Sequence, residues 1–405
     1  MLKDLMMLKS NYHQFMDWMI SKTNYSSIQM ITYITSKYNF FVAVSILFTF
    51  GLLSSCKDNN QKFTPSCISE YDISPLLTNY ADDIILPRLQ SFDSQFDECY
   101  LEGVNFINDP QLVNLTRFRT EYLATYKLWQ TVSAFSFGPG EDVFWVSSFN
   151  NFPLNVSKVL LDIQDRKMDF SSPDEYNKGL PLLDFLLYGL SSNDEGIIDS
   201  FNTNGTYGVY AKAALEDMNK KLDIVLENWI IYANVFKQNT GTTDGQSINL
   251  IVNALNRDYE YIKRDKIGVP SGVLSLGFTN PKEVEAYYSG KSLELAKTAI
   301  QSTENLFLGI KQDGTEGEGL AEILRTIGAK KNGVGLADVI INQFDISLEK
   351  IDAIQETLHE SVDDDQENVI NAYNALSEQV IYLKSDMPSV MCIPITYVDN
   401  PSDSD

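Results

Sequence analysis

Residues 215–236 read LEDMNKKLDIVLENWIIYANVF. Leu215, Met218, Leu222, Val225, Trp229, Tyr232 and Phe236 recur in steps of three and four. That spacing gathers them into one continuous apolar seam on a helix. Glu216, Lys220, Lys221 and Glu227 fall between them, on the faces left to water. The stretch therefore predicts a long amphipathic helix, and the same rhythm extends in both directions.

Upstream, Asp109 is expected to open a second helix with Pro110 at its first position, where a missing N–H costs nothing. Its seam is Leu115, Phe118, Tyr122, Trp129 and Val132. Ser74 to Phe106 reads as a third helix, bent at Pro87. Downstream, Gly241 to Gly245 (GTTDG) breaks the pattern and reads as the main linker. Helical stretches then follow near Ile248–Lys266, Ser292–Gln312, Gly319–Lys330, Leu336–Leu358 and Asp365–Lys384. Asp363, Asp364 and Asp365 put negative charge at the start of the last one, as the helix dipole prefers. Strand signals are scarce, the best being Ile393–Val398. The expected fold class is all-α, with two helical bundles in series over residues 70–240 and 246–390.

The N-terminus carries a different signal. Phe40 to Leu53 (FFVAVSILFTFGLL) is uncharged and follows Lys37. It is shorter than the roughly 20 residues a membrane span needs and fits the apolar core of a signal peptide. It ends in Leu53-Ser54-Ser55-Cys56, which resembles a bacterial lipobox. Small residues admit the peptidase, and the Cys56 thiol accepts the lipid. Residues 1–55 are thus read as leader and lipoprotein signal peptide, with Met30 as a candidate true start, and 56–69 as a polar tether. The expected location is the cell envelope, lipid-anchored, on the outer membrane. The Lys57-Asp58 pair resembles surface-export signals of Bacteroidetes lipoproteins.

With 405 residues and 44% hydrophobic content, the chain can bury a substantial core. A formal net charge of -24 repels nucleic acid and anionic lipid headgroups, so no nucleic-acid partner is expected. Beyond Cys56 stand Cys67, Cys99 and Cys392. They cannot all pair with one another; one disulfide, for example Cys67–Cys99, is open, and spacing does not assign it.

Most catalytic constellations are missing. His13 lies in the leader, which leaves His359 for the mature chain. A Ser-His-Asp triad would have to use it. His359-Glu360-Ser361-Val362-Asp363 offers only half of a two-histidine zinc motif, on a stretch that reads as a helix end. Phosphate loops, dinucleotide fingerprints and Gly-x-Ser-x-Gly elbows do not occur. Ser347-Leu348-Glu349-Lys350 matches a Ser-x-x-Lys pattern without its companion motifs.

One further segment stands out. Residues 178–189 read KGLPLLDFLLYG, a short helix led by Pro181 and apolar on every side except at Asp184. A buried carboxylate needs donors or keeps its proton. Lys178, Arg117, Arg119, the Tyr188 hydroxyl and backbone N–H groups are the candidates.

Here the chain resembles the imelysin-like family, whose signature is Gly-x-His-x-x-Glu. Gly179-Leu180-Pro181-Leu182-Leu183-Asp184 aligns with it. Arg119–Trp129 followed by Phe135-Ser136-Phe137-Gly138-Pro139-Gly140 resembles the family's long helix and its aromatic-Phe-Gly-Pro turn. Asn150–Leu154, Lys266–Pro270 and Glu285–Ser292 are similar to further segments, the last two in Bacteroidetes members. The resemblance implies two helical bundles with a groove between them, in an envelope lipoprotein linked to iron regulation or uptake. It also implies a metal-holding pair one turn apart. This chain has Pro181 for the histidine and the shorter Asp184 for the glutamate. Proline has no lone pair to offer, and a single carboxylate seldom holds a transition metal. Asp184 is open to three readings: a buttress of a buried helix, a ligand-facing group, or a metal ligand.

The expected binding residues are Gly179, Pro181, Asp184, Tyr188, Arg119, Trp129, Glu141 and Asp142. Glu141 and Asp142 serve equally as helix caps, and Trp129 and Trp145 equally as core. The expected function is non-enzymatic binding of a small ligand or protein segment in iron-linked or nutrient acquisition. The alternatives are a peptidase and an interaction scaffold of an outer-membrane uptake system. No catalytic residue or cofactor is assigned.

Overall fold

The computed structural model describes residues 67–68, 71–172 and 176–397. The expected signal peptide, Cys56 and nearly all of the expected tether lie outside the described residues.

The fold is all-α. In the first group, α1 (Ser74–Thr78) winds through a wider π-helical stretch, Asn79–Ile85, into α2 (Leu86–Asn108). The change of winding falls just ahead of Pro87. The Leu86 amide reaches back five residues to the Ala81 carbonyl, next to a proline that has no amide hydrogen to give. α3 (Leu112–Val132) begins later than Asp109. Asp109 instead ends α2, and its carboxylate accepts from the side chains of Gln111 and Asn114, so Asp109 and Pro110 form the turn between the helices. A 3₁₀ turn (Gly138–Val143), α4 (Trp145–Phe149), α5 (Val156–Asp165), α6 (Leu180–Asp184) with its π extension (Phe185–Gly189), and α7 (Asp194–Thr203) follow. α8 (Thr206–Gln238) carries the seam quoted above. Its Leu215, Met218, Leu222, Val225, Trp229 and Phe236 are buried, and Tyr232 is half-buried.

Residues 239–246 form the loop expected around the GTTDG break. The second group holds α9 (Ser247–Tyr261) with a π extension (Ile262–Gly268), α10 (Ser292–Leu308), α11 (Leu320–Thr326) and α12 (Leu336–Asp352). α13 (Leu358–Asp364), α14 (Gln366–Val380) and α15 (Met387–Met391) complete it. The helix expected over 336–358 is therefore two, and Asp363 and Asp364 close α13 while Asp365 alone precedes α14. The strand expected at Ile393–Val398 is absent over its described residues. Side-chain amides of Asn249 and Asn253 donate to the Pro394 carbonyl, and Asn253 accepts from the Thr396 amide. These take the backbone groups a neighbouring strand would use. Among the described residues the strands are β1 (Lys330–Lys331) and β2 (Val334–Gly335), an antiparallel pair.

α2 packs against α3 and α8; α12 packs against α10 and α14. α3 and α10 bring the groups together, and buried side chains from both form one continuous hydrophobic core. Among the described residues no helix is long and apolar enough to cross a membrane.

The disulfide joins Cys67 to Cys392, with their α-carbons 5.0 Å apart, and not to Cys99. Cys99 faces the core from within α2, and burial pushes its thiol up to about 12. A helix interior holds Cys99 away from the start of the described chain, while the chain's other end lies beside it.

Candidate functional site

The turn at 178–189 is built around one special backbone position. Gly179 has φ +76, and a Cβ there would lie 2.4 Å from the Phe149 carbonyl oxygen, so only glycine fits. Its backbone bridges to Asn150. Pro181 then sits, buried, in the first turn of α6.

Asp184 is 1% exposed. Its Oδ2 accepts from the Tyr288 amide at 2.8 Å and the Ser289 amide at 3.4 Å. Its Oδ1 accepts from the Tyr122 hydroxyl at 3.3 Å. Burial lifts the carboxyl from 3.8 to about 6, against the pull of these donors. Of the expected partners, backbone amides are the ones present. Lys178 donates to the Phe170 and Ser172 carbonyls, and Arg117 is exposed. Arg119 donates to the Leu187 carbonyl and to Asp194, and lies over the Tyr188 ring at 4.5 Å. Arg119 and Tyr188 thus clasp the end of the π extension. Asp184 fastens the 286–290 loop of the second group onto the first.

These residues do not fit the metal that the signature implies. Pro181 offers no donor atom, and both oxygens of Asp184 already accept hydrogen bonds from the protein. Among the described residues no three His, Cys, Asp or Glu side chains converge on a point that could hold a metal ion.

A cavity of about 520 Å³ lies beside this turn, walled by residues 129–151 from the first group and 257–266 from the second. Trp129 and Trp145 contribute to its wall from an aromatic cluster with Phe149, in which the Trp129 and Phe149 rings stack 5.0 Å apart. Both tryptophans are therefore core residues as well. At the mouth stands Phe144, 55% exposed and held in the left-handed region at φ 52, which a bulky residue seldom adopts. Glu141, in the first turn of the 3₁₀ segment, reaches the cavity; Asp142 is exposed and does not line it.

The cavity floor is a buried polar network. Lys266, from the π extension of α9, donates to Glu285 Oε2 at 2.6 Å and to Gln130 Oε1 at 2.8 Å. Glu285 Oε1 accepts from Gln130 at 3.0 Å and from Asn150 at 2.7 Å. Asn150 also accepts from the Tyr126 hydroxyl through its side chain and from Tyr261 through its backbone. The charges are paired and the amides satisfied, which is the condition for tolerating ions in a dry interior. The network crosses from one group to the other. Asp258 also lines the cavity, 9% exposed, with the Ser133 hydroxyl and the charges of Lys266 and Arg257 favouring its ionised form. Burial raises its carboxyl to about 6.

Of the expected site, Trp129 and Glu141 line the cavity, while Gly179, Pro181, Asp184, Tyr188, Arg119 and Asp142 do not. Sequence reading did not single out Gln130, Arg257, Asp258 or Tyr261. Lys266, Asn150 and Glu285 fell within quoted segments without a role. The other seeds stand apart from the cavity. The His359 ring packs edge-on against Tyr287, 5.1 Å away, at the start of the short helix α13. Ser347 is buried and donates to the Gln343 carbonyl, while Lys350 pairs with Glu349 at the surface.

A family model described as Imelysin (Peptidase_M75) matches residues 101–383. Two solved structures share the fold. One is described as an iron-regulated protein A precursor from Parabacteroides distasonis ATCC 8503: TM-score 0.66, 16% identity, covering 78% of this chain and 95% of that one. The other is an imelysin-like protein from Psychrobacter arcticum 273-4: TM-score 0.62, 17% identity, covering 80% of this chain and 96% of that one. No curated protein matches the chain.

Proposed function

Because this chain belongs to the imelysin family, we propose that it is an envelope lipoprotein that binds a small ligand, without chemistry, in iron-linked acquisition. The observation that carries this reading is the roughly 520 Å³ cavity where the two helical groups meet, floored by a buried charged network. Ligand sites favour such joins, mostly apolar with a few convergent polar groups. The lipobox ending in Cys56 and the description of one structural neighbour as an iron-regulated precursor support the envelope and iron parts.

Val146 lines the cavity, and Val146→Trp would crowd it with an indole ring. In a deletion strain grown under iron limitation, wild type is expected to restore growth, and Val146→Trp, purified and shown to be folded, to fail. Equal rescue by both removes the cavity from the function.

A second reading, peptide hydrolysis, draws on one pair of residues. Ser133 and Asp258 both line the cavity, and a carboxyl that burial raises to about 6 can serve as a base. Casein cleavage that disappears in Ser133→Ala would favour it. Identical traces from the two proteins would retire it.

A further inference from the structure

The polar groups of the cavity are occupied with one another. Its lining carries two cations, Arg257 and Lys266, and two carboxylates, Glu141 and Asp258. Lys266 donates to Glu285 and Gln130 and lies over the Tyr261 ring, 5.7 Å from its centre. Arg257 donates to the carbonyl and hydroxyl of Ser136 and, with Lys266, favours the charged form of Asp258. The Asn150 side chain donates to Glu285 and accepts from Tyr126, Asn151 donates to the Tyr176 carbonyl, and Ser147 donates to the Phe144 carbonyl. Glu285 is buried, and both its oxygens accept hydrogen bonds from the protein. Some buried side-chain atoms among the described residues do lack a partner, as in Asn79, Asp162 and Gln379, but none of these belongs to the cavity lining.

A charged ligand would shed its hydration on entering and find no free counterpart inside, a cost that an uncharged one avoids. What the lining has to spare is aromatic surface. Trp129, Trp145, Tyr261 and Phe144 all face the same space. Rings of this kind favour a further ring, offset or edge-on. Phe144 stands 55% exposed at the mouth, so a ring that reaches it covers apolar surface now left to water.

We infer that the cavity takes an uncharged, flat aromatic molecule, held against Phe144, Trp145 and Tyr261 by apolar contact and not by an ion pair. The inference rests on the cavity being the binding site and names the class of ligand it accepts. The charged floor then has a structural task, joining the two helical groups, and leaves selection of the ligand to the aromatic walls.

Calorimetry of the purified protein at pH 7 with 2-naphthylmethanol, 2-naphthylmethylamine and 2-naphthylacetate separates charge from shape. The three share one flat body and are neutral, cationic and anionic in turn. The alcohol is expected to bind at least roughly tenfold more tightly than either ion. A smaller gap, or an ion ahead of the alcohol, overturns the inference and leaves the cavity standing as a site. An alcohol that does not bind also overturns it. Phe144→Ala should weaken the alcohol about fivefold, and its exposed position spares the core. Val146→Trp, shown to be folded, should abolish alcohol binding. Unchanged alcohol binding in either variant overturns the inference, because the molecule then sits elsewhere on the protein. Failure of the cavity reading itself is seen separately, as growth restored by Val146→Trp whatever the ligand series shows. The ligand series is read on wild type, so the result does not depend on either variant folding.

Discussion

At the scale of single residues, Asp184 shows what a lone carboxylate beside a proline can do. It is buried and receives two backbone amides from another part of the chain. Its role is to fasten a loop. This has a measurable consequence. In the folded protein the carboxyl keeps its proton to about 6, whereas the unfolded chain releases it near 3.8. Between those values the unfolded state binds fewer protons, so stability is full below about pH 4 and falls as pH rises toward 6. The difference corresponds to about 3 kcal/mol. Urea denaturation of wild type and Asp184→Asn across pH 4–7 should show a shallower fall in the variant, with the remainder from Asp258. Parallel curves would mean that Asp184 is not the titrating group.

At the scale of elements, the floor network ties α3 and the Asn150 segment to the π extension of α9 and the loop holding Glu285. Removing one charge strands the other. Lys266→Met is expected to cost about 3–5 kcal/mol in urea denaturation, and adding Glu285→Leu to recover much of it, because the loss comes from an unpaired buried ion. If the double variant is as unstable as the single one, the network is held by its geometry and not by its charge balance. Elements were also what the sequence revealed best. The seams of α3 and α8 were legible because their large buried apolar side chains repeat at the helical period. Element ends were less so. The side chain of Asp109 turned to Gln111 and Asn114, and the Ile393 run met asparagine side chains from α9, contacts that no local pattern announces. The cavity was half legible. Trp129 and Glu141 lie on segments whose aromatic and glycine content draws attention. Arg257 and Asp258 look like any charged pair on a helix, and their use depends on what faces them.

At the scale of the whole molecule, the described residues share one continuous core, and a disulfide joins Cys67 to Cys392. The Cys67–Cys392 bond spans 325 residues, so cutting it frees the unfolded chain of a large loop. The paired substitution Cys67→Ser with Cys392→Ser should lower stability by about 2–5 kcal/mol while far-ultraviolet circular dichroism stays helical. No change in the urea midpoint would show that the link is dispensable to folding. The same bond makes residues 67–392 a closed ring. A single protease nick in the exposed turn at 241–245 would open that ring without releasing a fragment, and the halves would part on a gel only after reduction. Tension applied between the residues ahead of Cys67 and those after Cys392 would pass through the disulfide, loading a covalent joint and sparing the core.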